Sequence, residues 1–143
     1  MSDERQAMIT QVADMMRDLD FCLMTTQDGT GALRSRPMSN NGKVEFTGDV
    51  WFFSGAATRK VADIEATPEV VLNYARTEDF TFIAMSGNAR IVRDAARKRE
   101  LWQKDLERWF TDGPDSDDVV LIKVTPTTVA YWMGEEDGEI HLT

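Results

Sequence analysis

Short apolar runs that follow one another through turn residues limit what this chain can fold into. Asp28-Gly29, Asn40-Asn41-Gly42 and Gly48-Asp49 separate the early runs, and Thr77-Glu78-Asp79 separates a later pair. Such short turns join antiparallel neighbours, because a parallel pair needs a crossover, usually helical, between its strands. Many short antiparallel strands close most readily into a full or partial barrel. We therefore predict a mainly β (α+β) fold built on an antiparallel barrel.

The spacing of apolar residues predicts the individual elements. Repeats of three and four residues predict helices at 3–19, 58–66 and 94–110. Eight strand-forming runs lie at 21–26, 32–39, 44–47, 50–54, 70–74, 80–92, 119–124 and 128–132, and we predict that they make up six or seven strands. Pro37 cannot donate to a strand ladder, so the second strand is expected at a sheet edge or interrupted there. Gly87 is expected to bend the long strand, and Pro126 to separate the last two.

Length, charge and residue usage narrow the class of protein. The 143 residues suit one domain, residues 1–143, and a net charge of −9 argues against nucleic acid as a partner, which needs a broad basic face. No run approaches the length of a membrane span, and the polar N-terminus lacks an apolar signal core, so we expect no membrane partner and a cytoplasmic location. Cys22 and His141 are the sole cysteine and histidine. Their number excludes an internal disulfide, a cysteine or histidine metal site and a histidine-based triad.

Two segments carry positive charge against this acidic background. Arg34 and Arg36 share one face of the second strand, because side chains alternate with a period of two. Residues 51–57 form an aromatic strand and a small-residue turn, and a helix then opens with Thr58-Arg59-Lys60. The free backbone N–H groups at a helix start, with the added cations, suit a phosphate. The four cations predict a bound anionic cofactor, and the alternative is that the arginines are solvated charges on an edge strand.

Several motifs, taken in order, resemble those of one known family. They are Arg34-Ser35-Arg36-Pro37-Met38 on the second strand, Phe52-Phe53-Ser54 followed by Thr58-Arg59-Lys60-Val61, and Val129-Ala130-Tyr131-Trp132-Met133-Gly134 near the end. This order resembles the pyridoxamine 5′-phosphate oxidase-like superfamily, and within it the general stress protein 26 branch, over residues 5–134. The resemblance implies a split β-barrel with three flanking helices, which forms a homodimer and binds FMN at the subunit interface.

The resemblance also implies which residues contact the cofactor. The arginine pair and the helix start would hold the flavin phosphate, and either arginine could be the ligand because both point to the same side. Residues 37–39 would follow the ring edge, an aromatic-hydroxyl pair would flank the ribityl chain and the ring, and a late tryptophan would come from the other subunit. The cofactor-binding residues so implied are Arg34, Ser35, Arg36, Pro37, Met38, Ser39, Phe53, Ser54, Thr58, Arg59, Lys60 and Trp132.

Two departures from the oxidase pattern concern the substrate. Ser39 stands where the oxidases have a lysine. The acidic stretch Glu135-Glu136-Asp137-Gly138-Glu139 stands where they have an arginine- and histidine-containing segment that grips the substrate. Its carboxylates would repel a substrate phosphate. We therefore expect the cofactor site to be kept and the oxidation of vitamin B6 phosphates to be absent.

The predicted activity is that of an FMN-dependent oxidoreductase, in which a nicotinamide or other small-molecule reductant passes hydride to flavin N5. The flavin supplies the electron sink, so no catalytic side chain and no metal is expected. Two alternatives stay open: a non-catalytic flavin-binding or storage protein, and the same fold with FAD or a deazaflavin. The dimer is expected to bury Trp102, Trp109 and Phe110, which lie on the apolar side of the third helix, and the alternative is that the core of one chain absorbs them.

Overall fold

The computed structural model describes residues 2–39 and 46–142. In these ranges the helices are α1 (Ser2–Met16), α2 (Arg59–Ala66) and α3 (Ala95–Leu101), with 3₁₀ turns at Thr77–Asp79 and Lys104–Arg108. The strands are β1 (Phe21–Gln27), β2 (Leu33–Ser39), β3 (Val50–Gly55), β4 (Glu69–Arg76), β5 (Thr81–Val92), β6 (Val119–Met133) and β7 (Glu136–His141). The predicted turn at 40–42 lies outside the described residues, as does part of the predicted strand at 44–47.

The seven strands form one antiparallel sheet that curls around a core. The order is β2-β1-β4-β5-β6-β3, and β7 pairs with the later part of β6. Helix α2 leaves the end of β3 and packs against β1 and β5. The prediction of six or seven antiparallel strands with three helices is therefore confirmed. The end strand β2, which contains Pro37, pairs only with β1 among the described residues, as expected of an edge strand.

Alternation along the strands creates the core. On β1 the buried positions are Cys22, Met24 and Thr26, and the intervening side chains face outward. The inward residues pack with α1 and the other strands around fully buried Phe52 and Leu72. Each large apolar side chain buried in this way contributes roughly 1.5–3 kcal/mol. Burial raises the pKa of the Cys22 thiol to about 12, which identifies it as a structural cysteine.

A bulge joins the two longest strands. The register of β5 against β6 shifts between Ser86 and Gly87, and a Cβ placed on Gly87 would lie 2.7 Å from Cα of Pro126. The expected bend at Gly87 is confirmed. The prediction that Pro126 separates two strands is wrong, because β6 runs through it. Pro126 faces the bulge, where the irregular ladder does not need its missing N–H.

Two helices end earlier than the sequence predicts, and one strand was not predicted. Helix α1 ends at Met16, short of the predicted residue 19. The helix predicted at 94–110 ends at Leu101, where the backbone becomes extended at Trp102 (φ −64°, ψ 132°). This break lets the indole of Trp102 pack edge-on against Phe53, with ring centroids 5.3 Å apart. Strand β7 was not predicted, because its sequence is polar and lacks the alternation of a half-buried strand.

The side chains after α3 cover a second, smaller core. Phe53, Val119 and Leu121 are its buried members, and Trp102 and Phe110 pack against them. Lys98 fixes the acidic loop 111–118 above this core. Its side chain is 2% exposed, and Nζ donates hydrogen bonds of 2.9 Å to the carbonyl oxygens of Ser116 and Val119. Trp109 alone of the three aromatics expected in a dimer interface stays largely exposed, at 75%.

Candidate functional site

Two arginines from β2 meet a buried carboxylate from α2. Arg34 and Arg36 share the inner face of β2, as their spacing predicted. Arg34 Nε and Arg36 Nη2 each lie 3.8 Å from Oδ2 of Asp63. Asp63 is buried and also accepts a 3.0 Å hydrogen bond from the hydroxyl of buried Thr26 on β1. The carboxylate therefore connects α2 to β1 and to the edge strand β2.

Arg36 is held in place by the neighbouring strand. Its Nη1 donates to the carbonyl oxygen of Met24 at 3.2 Å and to Oγ1 of Thr26 at 2.8 Å. Burial lowers the pKa of Arg36, Asp63 opposes this, and the nearby charges of Arg34 and Arg59 lower it further. A guanidinium in this position remains charged, but it lacks a full complement of counter-charges.

Arg34 has one strong partner and one unsatisfied group. Its Nη2 donates to Oδ2 of Asp28 at 2.7 Å in the turn before β2. Hydrogen bonds from Thr30 hold the pKa of Asp28 at about 2, so this carboxylate is ionised at neutral pH. Arg34 Nε is buried and has no hydrogen-bond partner among the described residues. Buried donors without partners are uncommon, and at a surface site they indicate a missing acceptor.

Helix α2 adds two more cations at its first turn. Arg59 is exposed and Lys60 is partly buried. Burial lowers the pKa of Lys60, and the charge of Arg36 lowers it further. Neither Arg59 nor Lys60 forms an ion pair or a side-chain hydrogen bond within residues 2–39 and 46–142. We call Arg34, Arg36, Arg59 and Lys60 the cation cluster.

The turn between β3 and α2 supplies hydroxyl groups. Thr58 occupies the N-cap position of α2, as predicted, but its side chain makes no capping hydrogen bond. Instead, the hydroxyls of Ser54 and Thr58 each donate to the carbonyl oxygen of Gly55 at 3.0 Å and lie 3.2 Å from each other. No side-chain cap therefore competes for the first N–H groups of α2.

The charges of the site do not balance. The four cations of the cluster face two carboxylates, Asp28 and Asp63, which leaves a surplus of two positive charges in a chain of net charge −9. A local surplus of this sign, next to an uncapped helix start, attracts an anion. The size of the surplus equals the charge of a phosphate monoester at neutral pH, which is about −2.

The other residues of the implied β2 motif do not join this cluster. Ser35, Pro37 and Ser39 lie on the opposite, outer face of β2. The Ser35 hydroxyl is 2.7 Å from that of Thr25, and the Ser39 hydroxyl donates to Asp20 at 2.9 Å. Met38 faces inward but is buried in the main core.

Phe53 and Trp132 also lie apart from the cluster within one chain. Alternation along β3 puts Ser54 on the side of the helix start and Phe53 on the side of the second core, where it contacts Trp102. Trp132 is 43% exposed on the outer face of β6, and three strands separate β6 from β2 in the sheet. Trp132 therefore lies on another strand and on the opposite face of the sheet from Arg34 and Arg36. Its contribution from a second copy of the chain stays a prediction.

Sequence reasoning missed two residues of the site, Asp63 and Thr26. The helical pattern placed Val61 and Ile64 toward the core, and both are buried in the structure. Asp63 is buried as well, which the polarity of an aspartate does not suggest. The only sequence signal for Asp63 was its position between Val61 and Ile64, in the helix that begins with Arg59 and Lys60.

Comparison with known proteins places this chain in a family. Residues 7–142 match the family model described as pyridoxamine 5′-phosphate oxidase like, and the chain belongs to that family. General stress protein 26 of Bacillus subtilis (strain 168) is 32% identical over 89 residues, which are 59% of this chain and 62% of that relative. The match thus spans less than two thirds of the relative's own length.

Solved structures share the fold. A protein of Clostridium acetobutylicum related to general stress protein 26 has a TM-score of 0.80 at 17% identity, with 95% of each chain covered. The general stress FMN/FAD binding protein of Xanthomonas citri has a TM-score of 0.75 at 18% identity, with 91% of each chain covered. These likenesses show a common split-barrel architecture. No helix in the described part of this chain is long and apolar enough to cross a membrane.

Proposed function

We propose that this protein binds FMN through its phosphate at the cation cluster and serves as a flavin-dependent oxidoreductase. The observation that carries the proposal is the surplus of two positive charges around Arg34, whose buried Nε has no hydrogen-bond partner among the described residues. A phosphate monoester supplies both the missing acceptor and the missing charge. Membership of the family, and the similarity to the general stress FMN/FAD binding protein of Xanthomonas citri, support a flavin as the group that bears this phosphate.

Each cation would have a distinct task. Arg36 is fixed by Met24 and Thr26, so its remaining N–H groups would meet a phosphate oxygen without loss of side-chain freedom. Lys60 would supply a compact charge from the helix side. A hydrogen bond between a charged side chain and an anion contributes about 1.5–3 kcal/mol. When bound, the flavin would supply the hydride chemistry at its N5.

A homodimer is part of the proposal, with a different interface from the one expected from the sequence. Phe21, Leu23 and Leu33 on the outer face of β1 and β2 are 66%, 51% and 70% exposed. Phe21 and Leu23 are neighbours on this face, and Leu33 lies at the other end of the strand pair, opposite Gln27. Exposed apolar side chains on one face usually have a partner. Trp102 and Phe110 already pack in the second core, so the outer sheet face takes their place as the proposed interface. It is also the face that carries Trp132.

Two matched variants test this interface. Leu23→Arg is expected to shift the protein from dimer to monomer in light scattering and to weaken FMN binding. Trp109→Arg, which puts the same charge on an exposed aromatic outside the proposed interface, is expected to leave the dimer intact. A dimer that survives Leu23→Arg but not Trp109→Arg would contradict the assignment.

Flavin binding is tested by titration of the purified protein with FMN and with riboflavin, which lacks the phosphate. We expect FMN to bind at least about tenfold more tightly, because only FMN engages the cation cluster. Arg36→Gln is expected to remove most of that difference, and Arg93→Gln, which neutralises an exposed arginine that follows β5 and pairs with Glu65, to leave it unchanged. Equal binding of FMN and riboflavin would contradict the proposal. Comparison of the dissociation constants of FMN, FAD and a deazaflavin shows which of these cofactors the site prefers.

A second candidate function is flavin binding without catalysis. The observation that favours it is the acidic β6–β7 hairpin, where exposed Glu135, Glu136 and Asp137 lie beside Trp132 and would repel a phosphorylated substrate. Stopped-flow reduction of the FMN-loaded protein by NADH and NADPH separates the two functions. Reduction faster than that of free FMN supports the oxidoreductase, and reduction at the rate of free FMN supports binding alone.

A further inference from the structure

Asp63 is the buried carboxylate within the cation cluster, and its contacts are unusual for a structural ion pair. Its side chain is 6% exposed, yet both arginine contacts are 3.8 Å, too long for hydrogen bonds. Within the described residues its one close side-chain partner is Thr26, whose hydroxyl donates to Asp63 at 3.0 Å and accepts from Arg36 at 2.8 Å. Asp63 thus offsets the charge of the arginines without occupying their N–H groups.

We propose that Asp63 is a resident counter-ion, which stabilises the ligand-free site and weakens phosphate binding. The inference rests on the proposed phosphate site. In the absence of ligand, Asp63 reduces the repulsion among Arg34, Arg36 and the α2 cations. When a phosphate binds, Asp63 remains buried a few ångströms from the new anion and repels it. The same carboxylate therefore stabilises the folded, ligand-free protein and lowers its affinity for phosphate.

Electrostatics fixes the direction of the expected effects. Removal of a unit negative charge beside the two guanidiniums raises the positive potential felt by a bound phosphate. At the effective dielectric of a partly buried site, and with screening by salt, this corresponds to about tenfold tighter binding. The ligand-free protein loses stability, because partly buried cations then face one another with less compensation.

The test uses Asp63→Asn, which removes the charge and keeps an oxygen that accepts from Thr26. Dissociation constants for FMN and for inorganic phosphate are measured, with urea unfolding of the ligand-free protein. We expect about tenfold tighter binding of both probes together with a lower unfolding midpoint. The control is Glu65→Gln, the same charge change two residues away on the exposed side of α2, which is expected to alter neither quantity.

A gain of affinity with a loss of stability is a result that mere damage to the fold does not give. Unchanged or weaker phosphate binding by Asp63→Asn would overturn the proposal and make Asp63 an anchor of the arginines. If this variant does not fold, Asp28→Asn takes its place, because Asp28 compensates Arg34 from the turn and an asparagine preserves the acceptor for Thr30. About threefold tighter binding is then expected, and weaker or equal binding overturns the counter-ion role.

The outcomes separate this proposal from the proposed function. Wild-type protein that binds inorganic phosphate but not FMN would contradict the flavin function and leave the role of Asp63 measurable with phosphate. FMN binding with no gain in Asp63→Asn would contradict only the counter-ion role. Binding of neither probe by the wild type and the variant would overturn both.

Discussion

Two lysines of this protein are both shielded from solvent, but they differ in their hydrogen-bond partners. Lys98 is almost fully buried, and its ammonium group donates to two carbonyl oxygens at 2.9 Å. Lys60 is partly buried, has no partner among the described residues, and has a pKa lowered by burial and by Arg36. Both positions cost desolvation free energy. Only at Lys98 do hydrogen bonds within the described residues compensate for the lost solvation.

The difference indicates what each lysine is for. A desolvated cation with all its partners inside the chain stabilises the fold. A desolvated cation next to like charges destabilises the fold, and it persists where a ligand completes its environment. We therefore expect the stability of the fold to depend on Lys98 and the affinity for an anion to depend on Lys60.

The largest expected effect is on the stability of Lys98→Met. The variant keeps the packing volume but leaves the carbonyl groups of Ser116 and Val119 without this donor. We expect the free energy of unfolding to fall by about 2–3 kcal/mol in urea denaturation. FMN affinity of the folded protein should not change. A loss of stability below about 0.5 kcal/mol would remove the contrast between the two lysines.

Lys60→Gln should show the reverse pattern. The FMN affinity is expected to fall about tenfold to thirtyfold, because one charge-assisted contact with the phosphate is lost. The stability of the ligand-free protein should stay the same or rise by at most about 1 kcal/mol, since a desolvated charge is removed. Calorimetric titration and urea unfolding measure the two effects, with Arg93→Gln as the control for charge. A destabilised variant with normal FMN affinity would show that Lys60, like Lys98, stabilises the fold and does not bind the phosphate.

The pH dependence of the wild type sharpens the same contrast. The folded pKa of Lys60 lies below its ordinary value of 10.5, so ligand-free stability should rise as the pH passes from the lowered pKa to 10.5. A bound phosphate keeps the proton on Lys60, so phosphate affinity should fall over that window by up to about tenfold. The ratio of FMN to riboflavin affinity isolates this effect from titration of the ring. A ratio that falls equally in Lys60→Gln would contradict the assignment to Lys60.

The smallest expected effect concerns Arg99, which reaches the same acidic loop as Lys98. Arg99 pairs with Asp115 at 2.6 Å, but both side chains are more than half exposed, at 53% and 68%. We expect Arg99→Gln to change the free energy of unfolding by at most about 0.5 kcal/mol, because water screens such pairs. An effect as large as that of Lys98→Met would show that an exposed ion pair stabilises this loop as much as a buried, hydrogen-bonded lysine does.

Local patterns made much of the fold predictable. The turn residues indicated antiparallel neighbours, and the period of two placed Arg34 and Arg36 on one face of β2, as the structure confirms. The apolar spacing found α2 within a residue of its observed start. The break at Trp102 was not predictable, because it depends on the distant ring of Phe53, which no helical periodicity encodes.

The parts of the site that escaped prediction depend on contacts between distant segments. Thr26 and Asp63 are 37 positions apart, and their hydrogen bond exists only after α2 packs on β1. Phe53 and Ser54 form one motif in the sequence, yet alternation places Phe53 in the second core and Ser54 beside Thr58 at the start of α2. The role of each implied residue in binding the cofactor stays a prediction.

A crystal structure of the protein with FMN bound tests the central claim most directly. The account predicts the phosphate within about 3 Å of nitrogen atoms of Arg36 and Lys60, and close enough to Arg34 Nε to accept its unsatisfied hydrogen bond. A flavin whose phosphate lies away from the first turn of α2, with the cation cluster unchanged, would contradict it.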